Sequence, residues 1–461
     1  MRPPQEVVER ALERSRSEGC IVIVEERSTA NLRWANNTLT TNGASRQRQV
    51  TVVAVHGTPR GTAAGVISRP VADEQGLDQL VEDADAAAAG GEPSEDAGPL
   101  GGPASTPSWD EPPAQTSVAD LARLVPSLGQ ALSDARAAGQ LLYGFAEHSQ
   151  LTTYLGSTTG LRLRHHQPSG HVEVNAKSAD MERSAWAGLA TEDFSEVDFS
   201  VLSAQLAERL AWARKQVQLP PGRYDTLLPP TAVADLMIYL YWSSGARDAH
   251  DGRSVWSRPG GGTRVGERIS HLPLTLRSDP AEAGLACCPF VVAHQSSAEL
   301  SVFDNGLPAT RVSWVDEGTL SALVQTRHTS QLTGLPFTPY VDNLVVEAGP
   351  TASLGLQDMV SNEQRALLLT CLWYIREVDP QTLLLTGLTR DGVYLVERGE
   401  VVGCVNNFRF NESPVDLLRR ASHVGRTERA LPREWGDYFK RVAAAPLRVE
   451  GFNMSSVSPA T

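Results

Sequence analysis

Cysteine is scarce in this chain of 461 residues, and its five cysteines include no C-x-x-C pair. An odd, small number of cysteines in a long chain argues against a disulfide framework and against a zinc ribbon. The sequence therefore predicts a protein of the reducing cytoplasm.

Long apolar runs are also missing, and no stretch approaches the roughly 18 apolar residues that a membrane-spanning helix needs. The N-terminal segment 1–19 is charged and helix-like, and it lacks the apolar centre of a signal peptide. We therefore expect no export by that route and no membrane partner.

Basic side chains are outnumbered, because 41 Lys and Arg face 54 Asp and Glu for a formal net charge of −13. A surface of that sign argues against a broad phosphate-binding face, so nucleic acid is not an expected partner. Hydrophobic residues make up 41% of the chain, which is enough for buried cores. The length predicts two or three domains.

The signatures of common enzymes are absent: G-x-G-x-x-G, the P-loop, G-x-S-x-G and H-E-x-x-H do not occur. The glycine run 260–262 follows a proline and precedes no helix start, so it indicates a flexible hairpin connection rather than a phosphate cradle. These patterns name no catalytic residue.

The first half of the chain divides by composition into three regions. Residues 1–70 predict a small α+β unit with one amphipathic helix followed by strands near 20–26, 31–37 and 48–57. Residues 71–116 predict an acidic helix and a mobile Pro/Gly-rich linker, since 71–122 holds twelve Asp and Glu but no Lys or Arg.

The third region, 117–220, predicts a middle α+β region that ends at the pair Pro220–Pro221. It opens with a cap-like S-x-x-D at Ser117 and a helix that Pro126 divides. Strand-like runs and a helix near 200–217 follow.

The remaining residues, 221–461, predict a β-rich domain. They begin with an apolar helix at 231–245 and continue as short strands between glycine turns, including a hairpin at 393–405. A second apolar helix is predicted at 362–378. The expected fold class is α+β, with a barrel- or sandwich-like C-terminal domain.

Two scattered sets of side chains could carry chemistry. Pro168–Gly170 predicts a turn, and in the resulting hairpin His166 and His171 would be cross-strand neighbours able to offer two imidazoles to a metal. No third ligand lies nearby in the sequence, so a polar, partly exposed hairpin is the preferred interpretation.

The second set is a thiol nucleophile at Cys287, Cys288 or Cys404, activated by a histidine such as His294. The apolar surroundings of the first two favour buried packing instead.

A series of segments, weak singly and collinear together, resembles the TldD/PmbA family, whose PmbA branch is also called TldE. The segments are NLRWANNTLTTNGASRQRQVTVVAVHGTPRGTAAG at 31–65, SAWAG at 184–188, DGRSVW at 251–256, RVGERISHLPLTLRSDP at 264–280, FDNGLPATRVSWVDEGTL at 303–320, GVYLVERGEVV at 392–402 and APLRVEGFNMSS at 445–456.

The resemblance implies a two-subunit peptidase. In it a TldD subunit holds a metal ion through an H-E-x-x-x-H helix and a later cysteine, and TldE lacks them. The corresponding helix here runs through 237–243 without His, Glu or Cys, and 431–451 holds no cysteine. The chain therefore resembles the TldE-type subunit, with no catalytic and no metal-binding residue of its own, and zinc is expected in the TldD-like partner.

Five residues could line a peptide chamber under this interpretation: Tyr239, Tyr241, Trp242, Asp304 and Asn305. The aromatic three lie on an apolar helix, which is more often simply core. Asn305 replaces the glutamate of the family's D-x-E-G turn, and Asp-Asn-Gly is a strong turn former, so a β-turn is the preferred reading.

Three hypotheses follow. The preferred one is a cytoplasmic TldE-like subunit of a heterodimeric zinc metallopeptidase that acts on small or unfolded peptides. The alternative is a peptide- or small-molecule-binding protein of the same fold that serves a biosynthetic pathway without peptidase activity. The third is an independent hydrolase that uses a Cys/His site or His166 and His171.

Overall fold

The structure is a computed structural model that describes residues 2–71, 73–349 and 352–459. The elements of its N-terminal half, residues 2–217, are α1 (Pro4–Arg14), β1 (Gly19–Ala35), β2 (Thr38–Thr58), β3 (Gly61–Pro70), α2 (Glu74–Ala89), β4 (Ala104–Ser105), a 3-10 helix (Val118–Leu124), α3 (Val125–Ala137), β5 (Gln140–Ser157), β6 (Leu161–Ser178), β7 (Ser184–Thr191), α4 (Phe199–Trp212) and β8 (Gln216–Val217).

The first strands are longer than the sequence predicts. β1 and β2 form one hairpin, and Asn36 and Asn37 make its turn with φ of 52° and 59°. Asparagine tolerates this left-handed backbone, which the tight turn of a twisted hairpin requires. The strands predicted at 20–26 and 31–37 are therefore parts of a single strand, with the 48–57 strand opposite.

Strands from both sides of the acidic segment share one sheet. Ile21–Trp34 of β1 pair with Gly144–Ser157 of β5. Within the described residues the order is β3-β2-β1-β5-β6-β4, and β7 pairs with β6 on the same edge as β4. We call β1–β7 the N-terminal sheet; the regions predicted as 1–70 and 117–220 both supply strands to it.

The two faces of this sheet have different neighbours. Val22 and Val24 point to the face that α1 and α2 cover, and further along the same face the 3-10 helix, α3 and α4 pack. Ile21 and Ile23 point to the opposite face and pack against Phe303 of the C-terminal half. Alternation along each strand thus divides the sheet between a helical layer and the rest of the molecule.

The acidic segment lies against the N-terminal sheet. Helix α2 begins at the cap residue Asp73 and buries Leu77, Leu80 and Val81. Its outer carboxylates pair with arginines of α1, as in Arg10–Asp78 at 2.9 Å. The Pro/Gly-rich stretch follows along the sheet, where the Glu111 carbonyl accepts a hydrogen bond from the Tyr154 hydroxyl.

The elements of the C-terminal half are β9 (Gly222–Leu228), α5 (Pro230–Trp242), α6 (Ala246–His250), β10 (Leu274–Ser278), a 3-10 turn (Val302–Asp304), β11 (Val312–Asp316), β12 (Thr319–Leu320), α7 (Arg327–Thr333), β13 (Leu344–Ala348), α8 (Leu356–Ser361), β14 (Arg365–Leu369), β15 (Leu372–Asp379), β16 (Leu384–Thr389), β17 (Val393–Glu397), β18 (Glu400–Val405), β19 (Phe408–Glu412), α9 (Pro414–Arg420), β20 (Ala421–Val424), β21 (Glu428–Ala430), β22 (Val442–Ala444) and β23 (Leu447–Val457).

Two sheets enclose the C-terminal core. The small sheet has the order β12-β11-β10-β13-β22-β21, and the large sheet has the order β15-β16-β19-β23-β9-β14-β17-β18-β8 with β20 on β23. Apolar side chains of both sheets and of α5 form one cluster, which includes Leu276, Leu369 and Met237. The predicted α+β class with a sandwich-like C-terminal domain is confirmed, and these strands close no barrel within the described ranges.

The apolar helix predicted at 362–378 is wrong. Residues 362–378 hold the strands β14 and β15 instead of an apolar helix. β14 lies between β9 and β17, and Ala366–Leu369 are buried. A short apolar run buried on both faces of a sheet has no strand alternation, so its pattern matches that of a buried helix.

Candidate functional site

Helix α5 lies where the resemblance places the family's metal helix, and its one acidic side chain is already occupied. Asp235 is fully buried, and its carboxylate accepts hydrogen bonds from the backbone N–H of Arg433 at 3.2 Å and of Glu434 at 2.9 Å. Trp435 donates its indole N–H to the Asp235 carbonyl at 2.9 Å. We call residues 431–438, held in this way, the anchored loop.

Burial raises the pKa of Asp235 well above its usual range, and the two backbone N–H groups oppose that rise. Because each side-chain oxygen accepts one of these N–H groups, Asp235 serves as a cap for the anchored loop. The family's zinc site does not fit α5, because the helix PTAVADLMIYLYW offers no imidazole, glutamate or thiolate as a ligand.

The anchored loop carries part of a cluster of aromatic rings around a surface hollow of about 590 Å³. We call this cluster the aromatic surface; its rings are Trp242, Trp373, Tyr374, Trp435 and Tyr438. Trp242 and Trp435 meet edge to face at 5.1 Å. Tyr374 is 55% exposed and Tyr438 is 76% exposed. Such large exposed apolar rings, gathered at one place, are typical of a binding surface.

Glu434 connects this surface to the edge of the large sheet. Its carboxylate accepts hydrogen bonds from the backbone N–H of Tyr374 at 3.0 Å and of Ile375 at 3.1 Å, both in β15. β15 is the edge strand of the large sheet. Glu434 therefore holds the anchored loop against this edge and occupies two of its backbone donors.

Beside the aromatic surface lies a cleft of about 720 Å³ between the N-terminal sheet and the large sheet. We call it the inter-sheet cleft; its lining includes Tyr143, Asn175, Lys177, Trp373, Arg390, Asp391 and Arg433. Trp373 belongs to both the cleft and the aromatic surface. The cleft is therefore polar and charged, and it continues onto aromatic rings at one end.

Arg433 is the central cation of this region. Its guanidinium lies 4.3 Å from the ring centre of Trp373 and 5.2 Å from that of Trp186. It also donates a hydrogen bond to Glu173 at 3.0 Å. Stacked and ion-paired in this way, the side chain is preorganised at the mouth of the cleft.

The three predicted aromatic residues of α5 have different surroundings. Trp242 belongs to the aromatic surface. Tyr239 is half-buried, with its ring 5.7 Å from that of Trp435. Tyr241 is 1% exposed, and its hydroxyl exchanges hydrogen bonds with the backbone of Val341 at 2.8 and 2.9 Å. The last residue therefore lies in the core.

Asp304 and Asn305 are both buried in a turn. Asp304 accepts hydrogen bonds from Arg327, at 2.6 Å from the side chain and 3.0 Å from the backbone N–H. The Asn305 amide bonds both backbone groups of Ala293, at 2.6 and 2.9 Å. These contacts use the polar atoms of both side chains to hold neighbouring loops together.

The predicted hairpin of His166 and His171 is wrong. β6 runs through Pro168–Gly170 without a turn, so the two histidines are five residues apart on one strand. Side chains at odd separation point to opposite faces of a strand. His166 therefore bonds Gln150 on the face of the helical layer, whereas His171 points toward the C-terminal half.

The candidate thiols are poorly suited to nucleophilic attack. Burial raises the pKa of Cys287 and Cys404 to about 11 and that of Cys288 to about 12. A thiol nucleophile requires the opposite shift. His294 contacts Thr51 at 2.9 Å through Nδ1 and Glu25 at 3.5 Å through Nε2.

The residues that sequence reasoning missed are Trp373 and the anchored loop with Arg433, Glu434 and Tyr438. The segment LPREWGDYFK is rich in aromatic and charged residues, and this composition is typical of recognition surfaces. Only the fold brings it to β15, which lies about 60 positions earlier in the chain.

Comparison with solved structures gives matches over nearly the whole chain. TldE from Thermococcus kodakarensis aligns with a TM-score of 0.78 at 16% identity, over 97% of this chain and 99% of that chain. A protein from Thermotoga maritima, described as a candidate modulator of a DNA gyrase, aligns with a TM-score of 0.77 at 16% identity and the same coverage. One from Bacteroides thetaiotaomicron with a similar description gives 0.72 at 14% identity, over 98% and 99%.

No curated protein sequence matches the chain. The fold is that of these solved structures, and residues 221–456 match the model of the PmbA/TldA metallopeptidase C-terminal domain. The chain belongs to the PmbA/TldD family. Its α5, without His or Glu, is of the TldE type. None of the helices in the described ranges combines the length and apolar character that crossing a bilayer demands.

Proposed function

We propose that this chain is the subunit of a cytoplasmic two-subunit peptidase that does not supply the catalytic zinc. The observation that carries the proposal is α5: its one acidic side chain, Asp235, caps the anchored loop, and the rest of the helix offers no ligand. A TldD-like partner would then bring the zinc, the base and the attacking water.

The aromatic surface is the proposed docking area for that partner. Tyr374 and Tyr438 expose most of their rings, and Trp435 and Trp242 hold a rigid base behind them. Aromatic residues with few rotatable bonds lose little conformational entropy on binding, and they dominate the energy of many interfaces. Arg376, which is ion-paired with Glu434 at 3.1 Å, supplies a charged rim.

The inter-sheet cleft is the proposed place for an extended peptide. Lys177 and Arg390 could bind carboxylates of the substrate, and Asn175 offers an amide for its main chain. β15 is the edge strand at the cleft, and the part of this edge that Glu434 does not occupy is the proposed place for main-chain hydrogen bonds to an extended peptide. We propose small or unfolded peptides as substrates, since an enclosed chamber admits only extended chains.

The test is co-expression of this chain with a TldD-like chain that carries H-E-x-x-x-H. We expect a stable complex by light scattering, and we expect this complex to cleave an unfolded peptide that neither chain cleaves alone. Tyr438→Ala should weaken the complex, whereas the matched control Val125→Ala, an exposed apolar residue on α3, should not.

Two results would overturn the proposal. Peptide cleavage by the isolated chain would mean that it carries its own catalytic group. Peptide binding by the isolated chain, with no association between the two chains, would favour a binding protein of the same fold.

A further inference from the structure

We infer that His171, Glu173 and Asp437 form a binding site for one divalent transition-metal ion, with zinc as the best fit, between the N-terminal sheet and the anchored loop. One ligand atom from each residue lies within 4.8 Å of the other two. The site is separate from the family's zinc helix, and it does not rest on the proposed function.

His171 is a buried imidazole without a hydrogen-bond partner among the described residues. The side chain is 1% exposed, and neither ring nitrogen has a hydrogen-bond partner. A buried polar group without a partner is costly, and natural structures contain few of them. The ring of Phe145 packs edge to face at 5.5 Å and holds the imidazole in place.

The protonation state of His171 suits a ligand. Burial, with a smaller effect of the Lys440 cation, lowers the pKa of His171 to about 3. The imidazole is therefore neutral at physiological pH, which is the form that donates a lone pair to zinc.

Glu173 presents one free carboxylate oxygen to this imidazole. Its Oε2 accepts hydrogen bonds from Trp186 and from Arg433, each at 3.0 Å. Its Oε1 lies 3.7 Å from Nε2 of His171, which is too long for a hydrogen bond. Two ligands about 2.1 Å from a tetrahedral zinc ion stand about 3.4 Å apart, so a small adjustment brings both onto one ion.

The donors on Oε2 are the kind of outer contacts that orient metal ligands. In metal sites, ligating carboxylates are themselves hydrogen-bonded, and these bonds fix their direction. Trp186 of β7 and Arg433 of the anchored loop perform this task for Glu173 from two sides. The arrangement leaves Oε1 as the available ligand atom.

Asp437 completes the set from the solvent side. It is exposed and lies on the anchored loop, so an ion can enter without unfolding of the sheet. Of the cations nearby, Lys440 is partly neutralised, because it pairs with Glu147 at 3.6 Å. Three protein ligands leave the fourth tetrahedral position to water.

The experiment uses the full chain. The protein is stripped with EDTA. One portion is dialysed against Zn²⁺ and analysed for metal content. Co²⁺ is titrated into a second, metal-free portion, and binding is followed by the visible absorption of the bound ion. We expect one ion per chain, a tetrahedral Co²⁺ spectrum and an increased melting temperature in the presence of metal.

Two ligand variants and a control assign the site. Asp437→Asn changes a surface residue and should lower the metal affinity about tenfold or more, and His171→Gln should do the same. Asp416→Asn, an exposed carboxylate on α9, should leave the affinity unchanged. If His171→Gln does not fold, Asp437→Asn decides alone.

The inference is overturned if the stripped chain takes up no stoichiometric zinc or cobalt, or if the affinity is unchanged in a folded variant at either ligand. Peptidase activity is not a readout here. A negative result would therefore leave the proposed function standing, and failure of the two-subunit proposal would leave the metal site standing.

Discussion

Removing the Asp235 carboxylate should release the anchored loop. In Asp235→Ala, the backbone N–H groups of Arg433 and Glu434 lose their acceptor. Because Asp235 is fully buried, water cannot easily reach these N–H groups and replace the lost acceptor. The loop should then open more often, while the two C-terminal sheets keep their pairing.

The size of the effect follows from the hydrogen bonds. A buried donor without its partner costs about 1–3 kcal/mol. Since each 1.4 kcal/mol is about a factor of ten in an equilibrium constant, exchange at these two amides should accelerate about 5- to 150-fold. The global stability should fall by about 2–6 kcal/mol if both penalties add fully.

Hydrogen–deuterium exchange, read by mass spectrometry on peptides that cover 431–441, measures this opening directly. Asp235→Asn keeps one acceptor oxygen, so it should accelerate one of the two amides more than the other. Asp416→Ala, which removes an exposed carboxylate from α9, serves as the control. Unchanged protection of 431–441 in a folded Asp235→Ala variant would refute the role that we assign to this carboxylate.

Three further outcomes are expected. Gly65→Ala should lower the free energy of unfolding by about 1–3 kcal/mol, because its Cβ would lie 2.2 Å from a backbone oxygen of α2. Gly102→Ala, with open space around its Cβ, is the control. Equal denaturation midpoints for the two variants would contradict this packing. Tyr438→Ala and Tyr374→Ala should change the free energy of unfolding of the isolated chain by less than about 0.5 kcal/mol. Each should weaken binding of a TldD-like chain about tenfold or more, measured by calorimetry. Binding equal to that of the unmodified chain would exclude the aromatic surface as the interface. Burial holds the pKa values of all five thiols at about 11 or 12: Cys20, Cys287, Cys288, Cys371 and Cys404. Alkylation of the native protein at pH 8 should therefore be at least about a hundredfold slower than alkylation of the unfolded chain. A thiol that is labelled rapidly in the native protein would show that this thiol is activated.

Helices that carry a local start signal were predicted correctly, in contrast to the helix predicted at 362–378. Ser117 and Pro126 mark the two pieces of the helix at 118–137. Each of these residues acts on the backbone next to it, through a cap or a fixed φ, so the sequence alone is sufficient.

Strand errors arose where the tertiary neighbours decide. Pro168 has the composition of a turn with Ser169 and Gly170, yet it lies within β6. β7 begins its pairing only at Gly170, so Pro168 has β5 on one side and no strand of the described residues on the other. A proline tolerates such an edge position because its missing N–H has no partner to lose.

The candidate sites could not be predicted for a related reason. The aromatic surface combines Trp242, Trp373 and Trp435, which belong to three segments far apart in the sequence. His171 meets Asp437 only because β6 turns one face toward the C-terminal half. The residue types carried a signal of function, but their grouping is a property of the sheet order.

Because β1 pairs with β5 over fourteen residues, we expect the folded protein to stay together when the chain is cut within residues 92–104. The two strands are joined through the register Ile21–Ser157 to Trp34–Gly144, and the helical layer binds both. A chain cut within this stretch after folding should migrate as one species in native gels and separate only in denaturant. The N-terminal sheet could accordingly be assembled from two separately made polypeptides, as in a split-protein reporter.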